Sequence, residues 1–275
     1  MRAKRAFLLL SGGLDSTWCA FWAKKHFDEV HAVTIEYGQR HVIEVESSLK
    51  IAELSKVTSH EVVSLGRVLH GSSPLVSGAE MPTYTHSEDG DILPTFVPMR
   101  NLFFLTLLAN RAYKDANNYD NYLIYGASSS EQSYPDTTHG FVEKAVEAIN
   151  SAGNVKLDIM APLLFRKKEE SVIEAVRDMD NAYYALAFTT TSYSGEYPPI
   201  TQDHATVLRK ESFELARLPD PLILRAYLEG RVVLPTTSNY NVAIKYIAHS
   251  LGEEAITLES MCNYIVSEFR SGRTL

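Results

Sequence analysis

The sequence predicts an α/β protein built on a doubly wound parallel sheet. Short apolar runs alternate with segments of helical period, and the first run stops at a glycine pair that opens a helix. Residues 6–10 (AFLLL) form a continuous apolar run, as expected of a parallel strand covered on both faces. Residues 15–25 follow as a helix, with Trp18, Phe21 and Trp22 on one face. Residues 30–35 (VHAVTI) make a second strand, residues 42–54 an amphipathic helix and residues 60–65 (HEVVSL) a third strand. Such units need right-handed crossovers, which put helices on both sides of the sheet. Residues 66–98 break the rhythm and read as a functional loop or lid. Residues 101–113 (NLFFLTLLANRAY) are a strongly apolar helix with Asn101 as its N-cap. A strand at 122–125, a polar loop at 126–140, a helix at 141–151, a strand at 155–160 and a helix at 168–178 follow. The text is irregular beyond Tyr183, and helical patterns return at 205–218, 221–229, 242–251 and 258–269. The division expected is a nucleotide-binding domain over 1–220 and a helical extension over 221–275.

Composition narrows the class. In 275 residues, 45% are hydrophobic and 22% charged, which excludes a disordered chain. A net charge of −8 opposes broad gripping of nucleic acid, which wants a basic face. Two cysteines, Cys19 and Cys262, make no disulfide framework and point to a reducing, cytoplasmic location. Cys19 falls among Trp18, Ala20 and Trp22, where a buried structural thiol is expected. The basic start at Met1–Arg5 resembles a leader's, but none is expected, because Ser11, Gly12 and Gly13 end the apolar run that follows it. No window holds the ~18 apolar residues of a membrane span.

The chemistry concentrates in Ser11, Gly12, Gly13, Leu14, Asp15 and Ser16, between the first strand and the first helix. The pattern arises by chance in about one chain of this length in a few thousand. Glycines let the backbone wrap an anion, and the amides of the following helix start point at it. Leu10 and Thr17 flank this loop as further ATP contacts. It is not a Walker A loop, since the Gly-Lys-Ser/Thr ending is missing. It resembles the PP-loop of the ATP pyrophosphatases (the adenine nucleotide alpha hydrolase-like fold), in which the loop holds the pyrophosphate that leaves as ATP adenylates a substrate. Three further segments fall at strand ends or helix starts, where doubly wound sheets bind ligands: Glu36-Tyr37-Gly38-Gln39-Arg40-His41, Val97-Pro98-Met99-Arg100-Asn101 and Tyr134-Pro135-Asp136. Arg100 suits a phosphate or carboxylate. Asp136 suits the paired N–H groups of a guanine-like edge. Pro162-Leu163 followed by Lys168 and Glu170 opens another helix, with Lys168 placed for a phosphate.

In this order the five segments resemble the QueC family, the 7-cyano-7-deazaguanine synthases of queuosine biosynthesis. The resemblance spans residues 5–221. It implies an ATP-dependent ligase that adenylates 7-carboxy-7-deazaguanine, adds ammonia to give an amide, and dehydrates the amide after a second activation. It also implies Mg2+ beside the ATP, catalytic roles for Lys168, Arg100 and Asp15, and substrate contacts from Tyr37, Gln39, Arg100, Asn101, Tyr134 and Asp136. One departure stands out. Family members carry four zinc-binding cysteines near the C-terminus. Anchoring on Arg209 and Phe213 puts Ser192, Ile200, Asp203 and Thr206 at those positions, so no zinc is expected.

QueC-like paralogues also occur in antiphage defence operons of CBASS and Qat type, and a lost zinc site with an added C-terminal segment fits such a paralogue. There the resemblance suggests a second option, in which the activated deazaguanine is joined to an amine on a partner protein of the same operon instead of to ammonia. Ala243, Ile244, Ile247, Ala248 and Leu251 form one apolar stripe, and Leu258, Met261, Ile265 and Phe269 another. Each must be buried against the chain's own domain, a second copy in a homodimer, or the partner protein. Two other classes stay open at this point: a non-catalytic module that binds ATP or deazaguanine and recruits a partner, and a tRNA-modifying PP-loop enzyme.

Overall fold

The apolar runs pair into a parallel sheet whose strand order places the glycine pair at its centre. The structure is a computed structural model that describes residues 2–38, 43–69, 71, 73–77, 95–114, 116–128, 134–154, 156–192, 195–199, 203–250 and 256–272. Among these, strands β1 (Ala3–Leu9), β2 (Glu29–Glu36), β3 (Ser59–Ser64), β4 (Tyr119–Ile124) and β5 (Asp158–Met160) lie in the order β3-β2-β1-β4-β5. Every neighbouring pair is parallel. The chain winds outward from β1 to β3, then returns to β4 and β5, so the order reverses between β1 and β4. That reversal opens a crevice at the carboxyl ends of the strands.

Alternate residues of β1 feed two cores. Phe7 faces α4 (Arg100–Ala112) and α5 (His139–Gly153), where Leu105, Leu108, Val142 and Ile149 are buried with Val33, Ile35 and Leu123. Ala6 and Leu8 face α1 (Leu14–His26) and α2 (Ile43–Ser55), where Trp18 and Ile51 are buried with Val30, Ala32 and Ile124. The second core continues without a break into the later helices. These are α6 (Lys168–Asp178), α7 (Ala182–Ala185), α8 (His204–Leu215), α9 (Pro221–Leu228), α10 (Asn241–His249) and α11 (Leu258–Arg270). The remaining helix, α3 (Pro74–Ser77), is one turn inside the stretch read as a loop; residues 78–94 of that stretch lie outside the described residues.

Several boundaries differ from expectation for identifiable reasons. β1 begins three residues early because Arg5, polar but buried, is satisfied by Asn121 Oδ1 at 2.9 Å and Lys114 O at 2.7 Å and is flanked by the Phe7 and Tyr119 rings. β5 is shorter than 155–160, because the Asn150 side chain takes both backbone groups of Leu157 at 2.8 Å. Asn101 is not the cap of α4: Met99 holds that position at φ +64°, and the helix starts at Arg100. Beyond Tyr183 the chain is still helical, through α7 and a 3₁₀ turn at Leu186–Phe188.

The stripe on α11 is buried in the chain itself, and the one on α10 only in part. Leu224, Met261, Cys262 and Ile265 belong to the α1–α2 core. On α10 the inward face is Val242, Ala243, Tyr246 and Ile247, with Tyr246 stacked on Tyr264 of α11 at 4.9 Å. Ile244 and Ala248, expected in that stripe, are exposed, and Leu251 lies outside the described residues. Among the described residues, no helix is long and apolar enough to cross a membrane.

Candidate active site

The connection from β1 to α1 lies where the strand order reverses. Leu10 stays in register with β2: its N–H donates to Val33 O at 2.9 Å, and its carbonyl accepts from Thr34 Oγ1 at 2.6 Å. Gly12 adopts φ +80°, and a Cβ there would lie 2.7 Å from Glu44 O and 2.8 Å from Ser47 Cβ. Both the backbone angle and the packing on α2 require glycine. Gly13 precedes α1 and supplies no side-chain cap, which leaves the amides of the first turn facing the crevice. Ser16 Oγ knits the loop together: it accepts from Ser11 N–H at 3.2 Å, meets Ser11 Oγ at 3.1 Å and donates to Gly13 O at 3.1 Å. Thr17 is fully buried, and its hydroxyl donates to Gly13 O at 2.8 Å, so it braces the loop from inside.

Lys168, at the start of α6, reaches across to this loop. Its Nζ lies 3.1 Å from Asp15 Oδ2. The other oxygen, Asp15 Oδ1, is buried and has no hydrogen-bond partner among the described residues. Gly126, just past β4, permits the arrangement: a Cβ there would press within 3.2 Å of the Asp15 and Ser16 backbone.

A second cluster stands across the crevice. Tyr37, at the end of β2, packs its ring 5.2 Å from Phe104 and hydrogen-bonds with Arg100. Tyr134 Oη meets Thr95 Oγ1 at 2.6 Å while its ring stacks on Phe96 at 5.6 Å. Asn101 donates to Asp136 from both backbone and side chain, so this carboxylate caps the exposed start of α4. Burial pushes the Asp136 carboxyl above its ordinary range, although Arg100 and Asn101 pull it down. Burial also raises the Tyr37 hydroxyl against the pull of Arg100. Burial opposes the Arg100 charge, but Tyr37, Tyr134 and Asp136 more than compensate and hold the guanidinium protonated.

The two clusters share one cavity of about 300 Å³. Its walls bring together Leu10, Ser11, Gly13, Leu14, Asp15, Ser16, Tyr37, Arg100, Asn101, Tyr134 and Lys168. That volume is at the lower end of small-molecule sites, roughly 300–1,000 Å³. Gly12, Thr17 and Asp136 stand behind the wall, and Gln39 lies outside the described residues. The wall also contains Phe104, Tyr125, Gly126, Thr190, Thr191 and Arg209, none of which the sequence pointed to as site residues. Gly126 carried a usable signal, a glycine directly after an apolar strand; Thr190 and Thr191 sit in irregular text and carried none.

Two of the positions aligned with zinc ligands, Ser192 and Asp203, are joined by their side chains, whereas Thr206 Oγ1 is buried with no hydrogen-bond partner among the described residues. Ser192 Oγ donates to Asp203 Oδ2 at 3.1 Å, and Asp203 Oδ1 accepts from Thr206 N–H at 2.9 Å as the cap of α8; Ile200 lies outside the described residues. Cys19 and Cys262 are both buried in the core, and burial pushes both thiols up. Among the described residues, no group of three or more His, Cys, Asp or Glu side chains is placed to hold a metal ion.

Comparison with known proteins agrees with the motifs. The family described as "Queuosine biosynthesis protein QueC" matches residues 5–217. A Gloeobacter violaceus protein named 7-cyano-7-deazaguanine synthase is 38% identical over 226 residues, which cover 80% of this chain and 95% of that protein. A Chromobacterium violaceum protein of the same name is 33% identical over 231 residues, covering 83% of this chain and 97% of the relative. With most of its length matched and the motif residues gathered in one cavity, the chain belongs to the QueC family.

Proposed function

We propose that this chain is an ATP-dependent carbon–nitrogen ligase that converts 7-carboxy-7-deazaguanine to 7-cyano-7-deazaguanine, the activity its relatives are named for. The observation that carries this reading is the single cavity joining the uncapped start of α1 to the Tyr37–Arg100–Asn101–Tyr134 wall. A triphosphate fits the first end and a planar base bearing a carboxylate fits the second. Ser11, Gly13, Ser16 and the first-turn amides bind the phosphates. The buried, unshared Asp15 Oδ1 fits Mg2+, which when bound neutralises phosphate charge. Lys168, already at the Asp15 carboxylate, stabilises the charge that builds on departing pyrophosphate. Arg100 orients the substrate carboxylate, and Asp136 holds Arg100 and Asn101 from behind.

The chemistry balances as follows. A carboxylate oxygen bonds to the α-phosphorus and pyrophosphate leaves. Ammonia then adds at the acyl carbon, and AMP and a proton leave, giving the amide. The amide oxygen then bonds to the α-phosphorus of a second ATP as pyrophosphate and an N–H proton leave, and loss of AMP with the remaining N–H proton yields the nitrile. The residues contribute mainly position and fixed charge. Ammonia is the favoured acceptor over a partner-protein amine, because the Leu258–Met261–Ile265–Phe269 stripe that suggested a docking surface packs within the chain.

Mass spectrometry after incubation with ATP, 7-carboxy-7-deazaguanine and ammonia tests the reading. Amide or nitrile with AMP and pyrophosphate is expected, and Asp15→Ala or Ser11→Ala abolishes it without unfolding the protein, since Ser11 is exposed and Asp15 stands in the first turn of α1 at the cavity wall, outside both apolar cores. No AMP release from any substrate mixture would refute the ligase. The chain is also proposed to work without zinc, supported by the Ser192–Asp203–Thr206 hydrogen bonds. Elemental analysis is expected to find no stoichiometric zinc, and a chelator to leave the melting temperature unchanged; tightly bound zinc lost together with stability refutes this.

A further inference from the structure

Arg209 of α8 is 3% exposed, and each of its five N–H donors has an acceptor. Nε and Nη2 reach the two Asp220 oxygens at 2.6 and 2.7 Å, and Nη2 also donates to Leu186 O at 3.0 Å. Nη1 donates to Thr189 Oγ1 at 2.6 Å and to Thr191 Oγ1 at 2.9 Å. The acceptors therefore fall on two segments, Asp220 at the head of α9 and residues 186–191 beside the crevice. The second segment touches the glycine loop directly: Thr190 N–H donates to Gly12 O at 2.9 Å, and Thr190 Oγ1 meets Ser47 Oγ of α2 at 2.5 Å.

The Asp220 end is anchored by residues past the part of the chain that the family matches. Asp220 N–H donates to Tyr240 Oη at 3.3 Å, and Asn239 Nδ2 donates to Leu218 O at 2.9 Å. A guanidinium this deep is stable only with all its donors met, so it locks together the segments that supply the acceptors. We infer that Arg209 is a positioning residue for the glycine loop. It clamps residues 189–191 over Gly12 and, through Asp220, makes the segment beyond residue 217 part of the loop's support. This inference rests on the reading of the loop as the ATP phosphate site.

The test compares the full chain with the double variant Thr189→Val, Thr191→Val, which removes the acceptors of Nη1 and keeps the Asp220 fork. Calorimetric titration with Mg·ATP gives affinity, and steady-state kinetics give KM for ATP and for 7-carboxy-7-deazaguanine separately. ATP affinity is expected to fall about tenfold, with KM for the deazaguanine within about twofold of the parent. Arg209→Lys, which keeps a charge but cannot span both segments, is expected to act the same way. If the double variant does not fold, Thr191→Val alone, with Thr189 still holding Nη1, is expected to lose affinity in the same sense. A purely structural role lowers the melting temperature but leaves ATP affinity unchanged in the folded variants, and that result overturns the inference. If the parent itself does not bind Mg·ATP, the phosphate-loop reading falls and takes the inference with it. If the parent binds and the folded variants bind equally well, only the positioning role falls.

Discussion

At the residue scale, Asp136 shows how a recognised motif residue takes a different place in the folded protein. Its carboxylate faces the start of α4 and Arg100, one layer behind the cavity wall, and burial raises its pKa. Above that raised pKa it is charged and holds Arg100 and Asn101; as pH falls through it, the carboxyl gains a proton and that hold weakens. KM for 7-carboxy-7-deazaguanine is therefore expected to rise on the acid side at a higher pH than an ordinary carboxylate would give. Asp136→Asn should raise this KM at neutral pH, leave KM for ATP nearly unchanged, and abolish the acid limb. Kinetics from pH 4.5 to 8 check this, and an unaltered acid limb in the variant would assign the titration to another group.

At the scale of elements, the first β–α connection is built from close approach. Gly12 combines φ +80° with contacts of 2.7–2.9 Å around its missing Cβ, all from α2. Gly12→Ala must move the loop off α2 or strain the backbone, at a cost of about 1–3 kcal/mol. Thermal unfolding should show the lower stability, and Mg·ATP binding should drop by more than that cost alone explains, because Thr190 loses its carbonyl partner. Full ATP affinity in the alanine variant would mean that the loop adapts and is not held by this contact. Elements whose signal is periodic were legible: α6 runs over the expected residues, and α1 and α4 start within one residue of expectation. β5 was legible as a strand but not in its start, since one asparagine side chain takes the backbone groups of Leu157, which no periodicity records.

At the scale of the whole molecule, residues beyond Pro221 are core. Leu224, Met261 and Ile265 are fully buried against Val176 and Tyr183 on the preceding helices. Losing several such contacts at about 2–5 kcal/mol each exceeds a total stability of about 5–15 kcal/mol. A chain truncated after Pro221 is expected to aggregate or to unfold without a cooperative transition, as circular dichroism and dye binding will report. A soluble truncation with a sharp melt and intact ATP binding would instead make the extension a separate module.

The sequence by itself determined the sheet class, the glycine loop and the family, because these rest on local signals: apolar runs of strand length, helical period, and a glycine pattern demanded by one backbone shape. It also marked most of the residues that meet in the cavity. What only the tertiary structure decided was which side chains line the cavity and what covers the last helices. An apolar stripe states that it must be buried but not against what, and a buried arginine such as Arg209 looks the same in sequence as an exposed one. Both answers depend on contacts between residues apart in the chain, Met261 against the preceding helices and Arg209 against Asp220 and Thr189, and those exist only once the fold has brought them together.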